Sequence, residues 1–167
     1  MGASEIQESV VLRHRSVEPQ DLALICSFPQ TPQELFFMFP RATFPLTEAQ
    51  LEAAVAQRFE STVVLCQDEV CGFANFYEYE PGQSCSIGNV IVDPRVRGKG
   101  VGAYLIRTMA ETAFVKYAVP QVKLSCFVEN IPALLLYTRL GFKPVRIEER
   151  KNWDGRRTAS VQMVWER

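Results

Sequence analysis

Histidine is nearly missing from this chain: His14 is the only one among 167 residues. A Ser-His-Asp triad, a Cys-His pair or a histidine-rich zinc site would each have to be built on that one residue, which lies in a short β-like run near the start of the chain. It reads as a surface or structural histidine, and no metal site is expected. No Gly-x-Ser-x-Gly elbow, Walker-type phosphate loop or Gly-x-Gly-x-x-Gly dinucleotide fingerprint occurs. Net charge is also small, with 18 Lys and Arg against 19 Asp and Glu. No basic patch of the kind nucleic acid requires is present. No apolar run reaches the length of a membrane span, and the polar, acidic N-terminus carries no secretory pattern. Met1-Gly2 suggests myristoylation, but position 6 is Ile where Ser or Thr is wanted. The five cysteines (Cys26, Cys66, Cys71, Cys85, Cys126) are odd in number and form no C-x-x-C pair. Their apolar surroundings read as reduced, buried thiols of a cytoplasmic protein.

Glycine is sparse too, nine in all, yet Gly98, Gly100 and Gly102 crowd into five positions. The run Val90-Ile-Val-Asp-Pro-Arg-Val-Arg-Gly-Lys-Gly-Val-Gly102 leads from a β-branched strand through a basic turn into a helix. Glycines remove side chains where the chain turns, so backbone N–H groups can face an anion. The following helix contributes its free N-terminal N–H groups and dipole, and Arg97 and Lys99 add charge. That combination suits a pyrophosphate.

A second pattern lies about thirty residues on: Asn130-Ile-Pro-Ala133-Leu-Leu-Leu-Tyr137-Thr-Arg-Leu-Gly141-Phe142. Asn130 suits a helix cap, Pro132 the first turn and Gly141 a left-handed C-terminus. Ala133, Tyr137 and Leu140 share one helix face.

Arg97-x-x-Gly100-x-Gly102 followed by Asn-x-x-Ala-x-x-x-Tyr-x-x-x-Gly-Phe resembles the two signatures of the GNAT family of N-acetyltransferases. The resemblance is specific over about residues 70–142. It implies a central mixed, mostly antiparallel sheet in an α/β (mixed α+β) fold, with splayed parallel central strands and helices on both faces. Strands 86–92 and 122–128 would part to admit the pantetheine arm of acetyl-CoA, the acyl donor. The resemblance further implies that the cofactor is held by Val90, Ile91, Val92, Arg97, Gly98, Lys99, Gly100, Val101, Gly102, Asn130, Ala133 and Tyr137. Backbone N–H groups of the Val90–Val92 strand would hold the oxyanion. Asn130 either bonds the cofactor arm, orients the helix or simply caps it. Tyr137 is the expected general acid toward the leaving thiolate.

The general base stays open. Relatives often carry Glu on the strand before the glycine loop, where this chain has Ser86 and Gly88. Glu78 or Glu80, acting through water, or water alone, remain the candidates. Cys126 has no paired base, so a covalent acyl-enzyme is set aside in favour of direct attack. The stretch 28–45, with five Phe and four Pro, cannot be one long helix. It is either a core cover with a short helix or an apolar wall of the acceptor pocket, which Trp153 and Arg156 would complete. The basic cluster from Arg146 to Arg157 reads as solvated surface.

Along the chain, the expected elements are a strand at 10–13, helices at 19–25 and 47–59, and strands at 62–66, 71–79 and 84–92. The long helix at 100–118, the strand at 122–128, the Asn130 helix and a final hairpin at 143–149 and 160–165 complete the order. One domain, 1–167, is expected, as a monomer or homodimer. The acceptor is an amine, a small molecule in preference to a protein N-terminus or lysine, because no charged groove for peptides is evident. The runner-up function is a CoA-binding sensor or interaction module without catalysis.

Overall fold

A computed structural model describes residues 10–167; the Met1-Gly2 start lies outside them. Seven strands form one sheet in the order β1-β2-β3-β4-β5-β7-β6: β1 (Leu12–Ser16), β2 (Phe59–Cys66), β3 (Glu69–Glu80), β4 (Ser84–Val92), β5 (Gln121–Phe127), β6 (Lys143–Lys151) and β7 (Arg157–Glu166). All pairs are antiparallel except β4 with β5. This is the expected mixed fold.

Two apolar clusters lie on the two faces. On one face α4 (Val101–Val115) and α5 (Ile131–Leu140) pack over Val64, Phe76, Val122 and Leu124. The stripe Val101, Leu105, Met109 and Ala113 is buried as its spacing predicts, with Ile106 and Ala110 beside it. On the other face α1 (Leu22–Cys26), α2 (Pro32–Met38) and α3 (Glu48–Gln57) cover Val63, Phe73 and Ile91. Strand alternation distributes β2 between the two: Val63 faces one cluster and Val64 the other.

Two local expectations need correction. The 28–45 stretch contains the short helix that one of its two readings held, α2, and the element order therefore has three helices rather than two before β2. Thr31 caps it by accepting from the Glu34 N–H at 3.1 Å, and Pro32 occupies the first turn, where its missing donor costs nothing. The long helix stops at Val115, short of Ala118, because Ala118 turns left-handed (φ 51°) ahead of the restricted Val119-Pro120 step. Thr47 caps α3 by accepting from the Gln50 N–H at 3.3 Å, and the Gln50 side chain also bonds the Thr43 N–H and carbonyl.

Candidate active site

The two parallel strands part as they run. β4 pairs with β5 only at Ser84 with Gln121, Cys85 with Val122 and Ser86 with Lys123. Beyond that point β5 continues against β7 alone, through Phe127 opposite Ser160, and the β5 side of β4 has no partner strand. A wedge-shaped gap therefore opens between Val90–Val92 and Leu124–Phe127.

A bulge on β4 aims backbone groups into this gap. Two residues, Asn89 and Val90, stand opposite Ala74 alone, and Asn89 is left-handed at φ 51°. Its side chain anchors the distortion: Oδ1 accepts from Asn75 Nδ2 at 3.0 Å, and Nδ2 donates to the Met38 carbonyl at 3.2 Å. Both asparagines are buried. Further on, the Asp93 N–H donates to the Cys71 carbonyl on the β3 side. Alternation along the strand then turns the N–H groups of Val92 and Val90 toward the gap. A pair of preset donors on an open strand edge suits an amide-bearing arm and a developing oxyanion.

The glycine loop stands at the mouth of the wedge. Gly98 (φ 76°) and Gly100 (φ 86°) are left-handed, and Gly100 is the N-cap of α4. Gly102 has a different role from the turn expected of it. It lies within α4, and a Cβ there would come within 3.1 Å of Leu136 Cδ2, so its bareness lets α5 approach α4.

The three basic residues of the loop diverge. Arg95 is bound to Asp93 at 2.7 Å and to Glu69 at 3.0 Å, which turns it into a structural clamp. Arg97 donates from Nη1 to Glu34 at 2.7 Å and from Nε to the Val92 carbonyl at 3.2 Å. Lys99 forms no ion pair among the described residues, and of the three it alone is free of carboxylates.

Across the wedge, Tyr137 is buried, its ring 5.8 Å from that of Phe142. Burial, with the Cys126 thiol adding to it, pushes the phenol well above the usual tyrosine range, so it is protonated throughout neutral pH. Its hydroxyl makes no hydrogen bond with any of the described residues. Ala133 and Leu140 pack on the same core, as their shared face predicts. Asn130 begins α5, but its side chain makes no capping bond, so the plain-cap reading fails. Burial raises the Cys126 thiol to about 12, which leaves it no nucleophile at neutral pH.

Of the carboxylates considered as base, Glu80 pairs with Lys123 at 3.5 Å. Glu78, opposite Ser86, is exposed and forms no ion pair among the described residues. His14 is a surface residue bonded to the Tyr104 hydroxyl at 2.8 Å. Trp153 and Arg156 remain exposed in the β6–β7 turn, where Arg156 pairs with Asp154. The basic residues around them bind Glu148 and Glu149 on the exposed surface of the hairpin.

The α2 segment spans both lips of the wedge. Phe36 and Phe37 lie 4.4 and 6.1 Å from the Phe127 ring on β5. Gln33 donates to Glu129 at 3.1 Å, and Glu34 holds Arg97 on the β4 side. Sequence reasoning did not find Arg58. It follows α3, and its Nη1 donates to Asn75 Oδ1 at 3.2 Å. Its guanidinium lies 5.7 Å from the Phe39 ring centre and 5.5 Å from that of Tyr77. A Cβ on Gly88 would sit 2.7 Å from Arg58 Nη1 and 2.8 Å from Tyr77 Cδ1. The bare position noted on β4 was the one available signal.

Among the described residues no group of side chains could hold a metal, and no helix is long and apolar enough to cross a membrane.

Comparison with known proteins agrees with this geometry. The family model described as the acetyltransferase (GNAT) family matches residues 26–142. No curated protein matches the chain. Among solved structures, a spermidine N-acetyltransferase from Vibrio cholerae in complex with CoA and spermine superposes with TM-score 0.77 at 21% identity, covering 93% of this chain and 95% of its own. The ribosomal-protein-S18-alanine N-acetyltransferase from Escherichia coli gives 0.70 at 20% identity, covering 93% and 94%. A GNAT-family acetyltransferase from Bacillus anthracis gives 0.76 at 15% identity, with the same coverage. At these identities the likeness is one of fold.

Proposed function

The chain belongs to the GNAT family of acetyltransferases, and from that premise we propose that it moves an acetyl group from acetyl-CoA to a primary amine by direct attack. It is an N-acetyltransferase, and acetyl-CoA is its acyl donor. The chain acts as one catalytic domain.

One observation carries this reading: the wedge that opens after Ser86 has the glycine loop at its mouth and unpaired strand N–H groups along one wall. The diphosphate of the donor is held by N–H groups of residues 98–102 at the start of α4, with Lys99 and Arg97 supplying charge. Val101 and Gly102 provide the close backbone approach. Pantetheine runs along Val90–Val92, and Asn130 and Ala133 line the opposite lip. Asn130 has its side chain free for an amide of that arm.

The amine lone pair attacks the thioester carbonyl carbon, and the oxyanion is held by the Val90 N–H. Collapse breaks the C–S bond, and Tyr137 passes its proton to the departing sulfur. A phenol raised by burial is a weaker acid than usual, but a thiolate formed in the same dry site is correspondingly more basic. The ammonium form of the acceptor loses its proton to water, with Glu78, exposed and without an ion pair among the described residues, a candidate base acting through that water. A small-molecule amine is preferred over a protein because α2 closes the cleft on the face where an acceptor enters.

The absence of a carboxylate at Gly88 favours a second reading, a CoA-binding module without turnover. Thiol release separates the two. Amine-dependent release of CoA from acetyl-CoA is expected; tight CoA binding with no release for any amine would establish the sensor instead.

A further inference from the structure

The position where a carboxylate would stand on β4 is occupied in space by a cation. Gly88 has no side chain, and the Arg58 guanidinium fills the room a side chain would take, at 2.7 Å from the site of its missing Cβ. Whereas Arg15, Arg95 and Arg97 each hold a carboxylate, Arg58 forms no ion pair among the described residues. The charges that act on it are the Tyr77 phenol and a second cation, Arg41. Burial comes first among the forces on it and lowers its affinity for the proton, yet a guanidinium remains charged at any physiological pH.

The surroundings hold this charge in place. Phe39 and Tyr77 flank the guanidinium, and one of its amino groups is fixed to Asn75, itself tied through Asn89 to the Met38 carbonyl. The network that shapes the β4 bulge thus also orients Arg58. A half-buried, rigid and unneutralised arginine beside an aromatic wall is built to receive an anion.

Its position relative to the reacting carbon defines what that anion belongs to. Gly88 precedes Val90 by two residues, a separation of at most about 7 Å along a strand. In an α-amino acid one carbon separates the amine nitrogen from the carboxylate. A carboxylate gripped by Arg58 would therefore leave the amine within reach of a thioester carbonyl held at the Val90 N–H.

We propose that Arg58 is the anion subsite of the acceptor pocket and that the acceptor is an amine carrying a carboxylate close to its nitrogen, a free amino acid or a near relative. This rests on the acetyltransfer reading above. Polyamines, which would bring positive charge against Arg58 and Arg41, are excluded by the same charges.

The test uses matched amines with acetyl-CoA and thiol-release detection: methionine, methioninamide and 3-(methylthio)propylamine; phenylalanine, phenylalaninamide and phenethylamine; and spermidine. The carboxylate-bearing member of each set should exceed its amide and amine in kcat/KM by roughly 10- to 100-fold. Arg58→Gln should erase that preference, through KM, with acetyl-CoA affinity unchanged. Gly88→Ala, which forces the guanidinium and the Tyr77 ring beside it to shift without removing either, should raise acceptor KM in the same direction and guards against a misfolded Arg58 variant. Turnover of amides, amines or spermidine without a carboxylate advantage overturns the acceptor class alone. So does a preference that survives Arg58→Gln. No turnover with any amine while acetyl-CoA binds overturns the acetyltransfer reading, and this inference with it.

Discussion

Arg97 donates to Glu34 at 2.7 Å while its Nε caps the Val92 carbonyl at 3.2 Å, so the basic residue at the mouth of the wedge is already engaged before any cofactor arrives. Burial alone would push the Glu34 carboxyl up, but hydrogen bonds from Arg97 and the Gln30 N–H outweigh it and hold it below the ordinary range. Donor binding on this reading must exchange one anion, a carboxylate, for another, a diphosphate. An ion pair with its arginine 40% exposed is worth about 0.2–1 kcal/mol.

Glu34→Gln should accordingly tighten acetyl-CoA binding, by up to about fivefold, in low-salt calorimetry. Arg97→Glu should weaken it at least roughly tenfold and flatten its dependence on salt. If charge reversal at Arg97 left affinity untouched, the residue would be a strut between α2 and β4 and nothing more.

The loop glycines divide by mechanism. Around Gly98 and Gly100 a Cβ would meet nothing within 4 Å, so the whole cost of a side chain there is the left-handed backbone. Gly100→Ala should lose about 1–2 kcal/mol in urea unfolding. Gly102→Ala joins better helix propensity to a 3.1 Å contact with Leu136, which must give way. It should stay within about 1 kcal/mol of the parent in stability. Equal losses at the two positions would contradict this division.

Sequence made the two motifs that border the wedge legible and left the Arg58–Gly88 contact hidden, for physical reasons. The glycine loop, the Tyr137 helix and the buried stripe of α4 are local patterns, in which spacing along the chain maps directly onto one turn or one face. The prolines of 28–45 exclude one long helix but leave room for a short one, and Thr31 caps a helix of seven residues there. Arg58 and Gly88 are thirty positions apart and meet only once β2, β3 and β4 are paired, so no spacing rule joins them. The same holds for Arg97 with Glu34. Long-range pairs of polar residues carry no period, and a glycine on a strand does not say what fills the space it leaves.

Acid stability should depend on two buried aspartates. Asp21 accepts two bonds from Arg15, at 2.7 and 3.0 Å, and one from the Glu18 N–H at 2.8 Å. The Arg15 bond foremost, against the opposing pull of burial, holds its carboxyl below the usual range, and Arg95 does the same for Asp93. A folded-state pKa below the unfolded value near 3.9 means stabilisation that is complete above about pH 5 and lost as pH falls through the folded value. Asp21→Asn should cost about 2 kcal/mol at pH 7 and leave a shallower acid limb in unfolding followed from pH 6 to 2. A variant whose loss is the same at pH 2.5 as at pH 7 would show that the charge of Asp21 is not what stabilises the fold.

Tyr137→Phe isolates chemistry from structure with unusual economy, because the hydroxyl it removes has no partner among the described residues and the ring keeps its place beside Phe142. Packing is conserved and no buried donor is orphaned, so the melting temperature should hardly move. Acetyl-CoA affinity should stay within about twofold, since one uncharged contact is at stake. Turnover is different. On this reading a departing thiolate without its placed acid must take a proton from water instead, and loss of a placed proton donor lowers kcat by about 10²- to 10⁴-fold. Measured with a good acceptor, a fall confined to kcat identifies Tyr137 as the proton source. Thiol release at the parent rate would leave it a core residue, with water protonating the sulfur.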